Sequence, residues 1–166
     1  MRLYFLRHGL ADREEWSGPD FERPLTKRGK VFMERSADTL ADLDLDLDLI
    51  LTSPLARALQ TAEIVANRLD MVDQLVQVEQ LAPGFGLDEL AHLLHTHSDA
   101  EAIMLVGHEP DFGEVIGALI GGGQVICKKG MLARVDVPSA DWLEGELVWL
   151  IPPKLLRSAS SVSAPV

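Results

Sequence analysis

The sequence predicts a layered α/β domain with a largely parallel but mixed sheet, and three observations carry that reading. Short apolar runs alternate with amphipathic stretches along most of the chain, as in βα units. The starts of the helix-like stretches are marked by capping residues. The last two apolar runs, 132–137 and 146–151, have no helix-like stretch between them and read as a hairpin, which makes the sheet mixed.

Taken in order, the strand segments are 2–6, 48–52, 75–79, 102–106, 132–137 and 146–151, and the helix segments are 26–42, 54–69, 87–96 and 111–120. Leu3-Tyr4-Phe5-Leu6 is a continuous apolar run of the kind buried on both faces. Thr26 can cap the first helix, although Gly29 in its first turn is a poor helix former. Ser53-Pro54 reads as an N-cap followed by proline at the first helical position. Between these helices, Asp42 to Leu49 alternates Asp and Leu four times. A period of two suits a strand, but aspartate is depleted in strands, so this is an acidic loop feeding Leu49-Ile50-Leu51. Gly121-Gly122-Gly123 is a flexible turn that lacks the strand–helix setting of a nucleotide loop. Residues 1–157 are expected to form one domain, and the serine-rich stretch 158–166 a disordered tail.

Composition narrows the function classes. There are 15 basic residues against 26 acidic ones, net −11, which argues against nucleic acid or an anionic membrane as partner. Any phosphate pocket must then be locally basic on an acidic body. Cys127 is the single cysteine, so no internal disulfide can form, which suits a reducing compartment. The apolar opening Met1–Leu6 is too short for a signal-peptide core, and no apolar run reaches the roughly 18 residues of a membrane span. A cytoplasmic location is expected.

Chemistry concentrates where strand segments end. The first ends in Arg7-His8-Gly9, where the glycine allows close approach to the backbone. The second ends in Thr52-Ser53-Pro54, with Arg57 in the following first turn, able to lean back over the strand ends. The fourth ends in Gly107-His108-Glu109-Pro110. If these strands are parallel, two histidines and two arginines gather at one edge of the sheet, the usual ligand side of open α/β folds. Either histidine alone would pass as an ordinary hydrogen-bonding residue; the coincidence of three matching strand ends is what points to a site. The set suits phosphoryl transfer. Arg7 and Arg57 supply permanent charge and bidentate donors. An unprotonated His8 can attack phosphorus, and a protonated His108 can bind an equatorial oxygen.

The segments Arg7-His8-Gly9, Ser53-Pro54 with Arg57, Gln60-Thr61-Ala62 and Gly107-His108-Glu109-Pro110 resemble the histidine phosphatase (phosphoglycerate mutase-like) superfamily. Arg23-Pro24-Leu25-Thr26, Leu81-Ala82-Pro83-Gly84 and Lys128-Lys129-Gly130-Met131-Leu132-Ala133 are similar to the short SixA-type phosphohistidine phosphatases within it. The resemblance implies a three-layer α/β/α sandwich, phosphoglycerate mutase-like. It implies His8 as nucleophile, Arg7, Arg57 and His108 as the phosphate pocket with Gly9 beside them, and no cofactor or metal.

Larger members of that superfamily carry an acid that protonates the leaving oxygen. Glu79, Asp88 and Glu89 occupy the plausible stretch here, but each also reads as an ordinary strand-end or first-turn charge. An alkyl phosphate must expel an alkoxide, which benefits from an acid. A phosphohistidine protonated on its far ring nitrogen expels neutral imidazole without one. The expected substrate is therefore phosphohistidine on a signalling protein, such as a histidine phosphotransfer domain. The alternatives are a broad small-molecule phosphomonoesterase and a phosphate-binding module that does not turn over. No lid insertion is visible between 79 and 102, so an open pocket is expected. His92, His95 and His97 could suggest zinc, but no carboxylate or cysteine completes a site at characteristic spacing, and a surface role is expected.

Overall fold

The computed structural model describes residues 1–14, 16–43 and 45–156; the expected tail at 158–166 lies outside them. The elements run β1 (Arg2–Arg7), α1 (Lys27–Asp42), β2 (Leu49–Thr52), α2 (Ala56–Arg68), β3 (Leu75–Gln77), α3 (Leu87–Thr96), β4 (Ala102–Gly107), α4 (Asp111–Leu119), β5 (Leu132–Asp136), β6 (Glu146–Ile151) and α5 (Pro153–Leu156). They build a six-stranded sheet of order β3-β2-β4-β1-β5-β6. The pairs β3–β2, β2–β4 and β4–β1 are parallel, whereas β5 pairs antiparallel with both β1 and β6.

The central strands are apolar at every inner position because both faces are covered. Leu3 and Phe5 of β1, with Ile103 and Leu105 of β4, pack against Leu90 and Leu94 of α3 and Phe112 and Ile116 of α4. Their alternate neighbours Tyr4, Leu6, Met104 and Val106 pack against Met33, Ala37 and Leu40 of α1 and Ala58, Ala62 and Val65 of α2. Successive side chains of a strand point to opposite faces, so the sheet is the middle layer of three. This is the α/β/α sandwich that the family resemblance implies. Each fully buried Leu or Phe of these two clusters contributes about 1.5–3 kcal/mol relative to exposure.

Several local expectations change. The second helix begins at Ala56, not at residue 54; its N-cap is Leu55, with no side-chain cap bond. The Ser53 hydroxyl is shared between His108 and the Leu55 N–H, ahead of the first helical residue. The strand expected at 75–79 stops at Gln77, and Glu79–Leu81 is a 3-10 turn, since β3 is an edge strand supported only by β2. The short α5 was not foreseen; Leu156 buries against the α1–α2 layer. At the start of α1, Thr26 caps as expected, its hydroxyl oxygen accepting the Gly29 N–H at 2.9 Å. Gly29 is required by packing, because a Cβ there would stand 2.2 Å from the carbonyl oxygen of Leu10. No helix among the described residues is long and apolar enough to cross a membrane.

Candidate active site

Register sets the strand ends level. Arg7 of β1 pairs with Gly107 of β4, and Thr52 of β2 pairs with Val106 of the same strand. The next residues are fixed by backbone bonds, His8 N–H to the Gly107 carbonyl at 3.1 Å and Ser53 N–H to the Val106 carbonyl at 3.0 Å. His8, Ser53 and His108 therefore leave three adjacent parallel strands side by side. The two imidazoles lie 5.2 Å apart between ring centres, tilted by 57°. His8, Arg57 and His108 are all about 5% exposed, 5%, 5% and 4% in turn.

The surroundings of His8 fix its tautomer. Nδ1 lies 2.7 Å from the Gly9 carbonyl oxygen, which can only accept, so Nδ1 carries the proton. Arg57 Nε–H donates to His8 Nε2 at 3.3 Å, so Nε2 presents its lone pair. Burial, together with the charges of Arg57 and Arg7 and the neighbouring His108, lowers the His8 pKa to about 2 despite the Gly9 bond. The imidazole is thus neutral throughout the physiological range.

His108 is held differently. Its Nε2 lies 2.8 Å from Ser53 Oγ, and that same oxygen accepts the Leu55 N–H at 3.3 Å. Among the described residues its buried Nδ1 has no hydrogen-bond partner, and neither has the buried Arg7 Nε. Unpaired buried polar atoms are uncommon, and here both belong to residues expected to bind phosphate. Burial first, then Arg57 and Arg7, lower the His108 pKa to about 4. This departs from the expectation of one neutral and one protonated histidine: burial, reinforced by the arginine charges, keeps both neutral. A phosphate dianion would reverse the sign of the local field and favour the imidazolium.

Backbone and motif residues brace these groups. Thr61 Oγ1 accepts the Gly9 N–H at 3.1 Å and donates to the Arg57 carbonyl at 2.7 Å. Gln60 Oε1 accepts the Leu25 N–H at 2.9 Å. Gly9 itself fits because a Cβ would stand 2.6 Å from Met33 Cγ. Arg7 Nη1 donates to the Cys127 carbonyl at 2.7 Å, and Glu109 holds that segment by accepting the Cys127 N–H at 3.0 Å.

Sequence reasoning missed one acidic member. Asp20 meets Arg57 twice: Nη1 donates to its carbonyl at 2.9 Å, and Nη2 lies 3.3 Å from Oδ2. Arg23 and Arg13 reach Asp20 Oδ1 at 3.0 and 3.4 Å. Burial works to raise the Asp20 carboxyl, but Arg57, Arg23 and Arg13 outweigh it and hold it below its ordinary range. Asp20 opens a 3-10 turn, Asp20–Glu22, too short for any periodicity to mark it. Its only signal was the nearby Arg23-Pro24-Leu25-Thr26 motif.

The three candidate acids stand apart from this network. Glu89 accepts the Gly86 N–H at 2.9 Å and caps α3. Glu79 and Asp88 are exposed, and neither bonds a pocket side chain. Asp20 is ionised at neutral pH and cannot donate. Of the three clustered histidines, His95 bonds the Ala91 carbonyl and Asp141 at 2.7 and 2.8 Å. Among the described residues no three His, Cys, Asp or Glu side chains converge as a metal-holding group.

Comparison with known proteins agrees with this geometry. The model of the histidine phosphatase superfamily (branch 1) matches residues 3–83. An uncharacterised protein of Picosynechococcus sp. is 44% identical over 126 residues, 74% of each chain. Phosphohistidine phosphatase SixA of Escherichia coli is 27% identical over 165 residues, covering 98% of this chain and 100% of that one. The solved structure of protein histidine phosphatase SixA complexed with tungstate shares the fold, with a TM-score of 0.83 at 24% identity over 94% of this chain and 99% of the other. The chain belongs to the histidine phosphatase superfamily, and the segments Arg7-His8-Gly9, Ser53-Pro54 with Arg57 and Gly107-His108-Glu109-Pro110 lie where β1, β2 and β4 end.

Proposed function

We propose that the protein removes phosphate from phosphohistidine on a signalling protein, such as a histidine phosphotransfer domain, through a phosphohistidine intermediate on His8. The observation that carries this reading is the unprotonated Nε2 of His8, fixed by the Nδ1–H bond to Gly9, its lone pair facing the Arg57 Nε–H at 3.3 Å and the ring set beside His108. In the first step the Nε2 lone pair bonds to phosphorus while the N–P bond of the substrate breaks. The departing imidazole keeps that electron pair and, protonated on its far nitrogen, leaves neutral. Arg7, Arg57 and a His108 protonated by the dianion's field stabilise charge on the phosphoryl oxygens. His8 then carries the phosphoryl group on Nε2 and a proton on Nδ1, still held by Gly9. It has become the same kind of leaving group as the substrate. Water attacks phosphorus, the electron pair returns to Nε2, and the water proton leaves with phosphate or solvent.

Specificity for N–P bonds rests on the carboxylates. The acid-candidate side chains lie off the pocket network, and Asp20 is locked as an anion by three arginines. A departing imidazole needs no proton, whereas an alkoxide does. The charge on the oxygens is met by guanidinium groups, so turnover is expected to survive chelating agents. The test is a hydrolysis panel on one preparation: a phosphohistidine protein, a phosphoserine protein and a sugar phosphate. The phosphohistidine protein should be turned over at least a hundredfold faster than either ester. Comparable rates on all three would instead favour a general phosphomonoesterase. Binding of all three without release of phosphate would favour a module that does not turn over.

A further inference from the structure

A groove of about 620 Å³ runs along α1 beside the catalytic turn. Its floor includes Leu10, two residues beyond His8 and so within about 7 Å of it along the chain. Its wall is the outer face of α1, where Lys27, Val31 and Arg35 recur at a spacing of four, flanked by Arg28 and Phe32. Lys129 closes the far side. The neighbouring Gly130 donates its N–H to the carbonyls of Arg7 and His8 at 3.0 and 3.1 Å. Phe32 packs on Gly130, where a Cβ would stand 2.5 Å from the ring. The groove is therefore built onto the backbone that carries the nucleophile. A second hollow of about 420 Å³ shares Leu10, Lys27 and Arg28.

Charge on α1 is segregated. Asp38 faces α2 and pairs with Arg68 at 2.6 Å, and Glu34 lines a hollow against α2. On the groove side, Lys27, Arg28 and Arg35 have no ion pair among the described residues, and only Lys129 meets an acid, Asp12, at 3.6 Å. Such a grouping is the exception on a chain of net charge −11. In its midst Val31 is 48% exposed. From Lys27 to Arg35 the cations span about 12 Å of helix. An elongated strip of exposed cations around an apolar side chain fits a chain segment better than a compact phosphate, which is held by converging donors.

We propose that this groove docks an acidic amphipathic segment of the phosphorylated protein, laying carboxylates on Lys27, Arg28 and Arg35 and an apolar residue on Val31 while the phosphohistidine enters beside His8. This rests on the proposed phosphohistidine activity and adds the feature of the substrate that is recognised. Steering by the strip would also raise the encounter rate at low salt.

The test uses the full chain and a variant, Arg28→Glu with Arg35→Glu, that touches none of the pocket residues. Three substrates are compared: free phosphohistidine, a helical phosphohistidine peptide flanked by glutamates, and the same peptide flanked by glutamines. The wild type should prefer the glutamate peptide about tenfold in kcat/KM, and the variant should lose that preference while hydrolysing free phosphohistidine within about twofold of wild type. In parallel, fluorescence anisotropy with the unphosphorylated glutamate peptide should show binding at least tenfold weaker to the variant and falling with salt. Equal use of the two peptides by the wild type, or equal binding of the acidic peptide by both proteins, would overturn the docking strip. Failure of the wild type to hydrolyse free phosphohistidine would contradict the proposed activity, and the binding measurement would still decide the groove.

Discussion

The turns that follow β1 and β4 each set a histidine beside a glycine at the same level of the sheet, yet they hold their imidazoles differently. Both ring nitrogens of His8 are engaged, Nδ1 by an acceptor and Nε2 by a donor, so a single tautomer is imposed. His108 has one nitrogen on a hydroxyl that can donate or accept, and its other nitrogen has no partner among the described residues. Burial lowers both pKa values, to about 2 at His8 and about 4 at His108. The difference assigns roles. A group whose lone pair is fixed in place suits attack, whereas one that can exchange its proton suits answering a charge that arrives with the substrate.

Removing each histidine should separate the two roles. His8→Ala is expected to abolish turnover, with kcat reduced at least a thousandfold in a rapid phosphate-release assay, because no other nucleophile is positioned. His108→Gln keeps the nucleophile and loses a charge on the phosphoryl oxygens, so kcat should fall about a hundredfold while His8 is still phosphorylated. A greater loss from His108→Gln than from His8→Ala would reverse the assignment. Ser53→Ala reaches the chemistry through His108 and also removes the acceptor of the Leu55 N–H. It should lower kcat by about tenfold or less and cost about 1–2 kcal/mol in denaturant unfolding, the usual loss on removing a buried hydrogen-bond partner.

The same contrast has a consequence for stability. Unfolded histidines take up a proton near pH 6.5, whereas these two do so only near 4 and 2 in the fold. Below pH 6.5 the unfolded chain therefore binds more protons, and stability falls as pH falls. Each imidazole contributes a slope of about 1.4 kcal/mol per pH unit, His108 until about pH 4 and His8 further down. His108→Gln should flatten the dependence of unfolding free energy between pH 6.5 and 4 by about that slope, and an unchanged slope would contradict burial of a neutral His108. The smallest effect is expected from Glu79→Gln and Asp88→Asn, which should leave kcat on a phosphohistidine protein within about twofold. A hundredfold loss from either would restore a general acid to the mechanism.

The legible parts of the sequence were those set by periodicity and by strand ends. Continuous apolar runs marked β1 and β4 because both faces of those strands are covered, and the histidine at each end followed directly. The hairpin of β5 and β6 was equally plain. What stayed hidden depended on side chains that meet across the fold. Ser53 looked like a helix cap, and only the register of β2 on β4 shows that its hydroxyl belongs to His108. Asp20 sits at the start of a single 3-10 turn, and its role comes from three arginines at positions 13, 23 and 57 that no local pattern connects. Gly29 looked unfavourable in a helix until the Leu10 carbonyl was found packed against it.

The most direct measurement is the chemical identity of the trapped phosphoenzyme. The protein would be mixed with a phosphohistidine protein, quenched in base within milliseconds, and the phosphorylated residue located by mass spectrometry, with the isomer read by phosphorus NMR. The geometry predicts phosphate on His8 at Nε2, because Nδ1 is held as a donor to Gly9. Phosphate on His8 Nδ1, on His108, or on no histidine while substrate is consumed would contradict it.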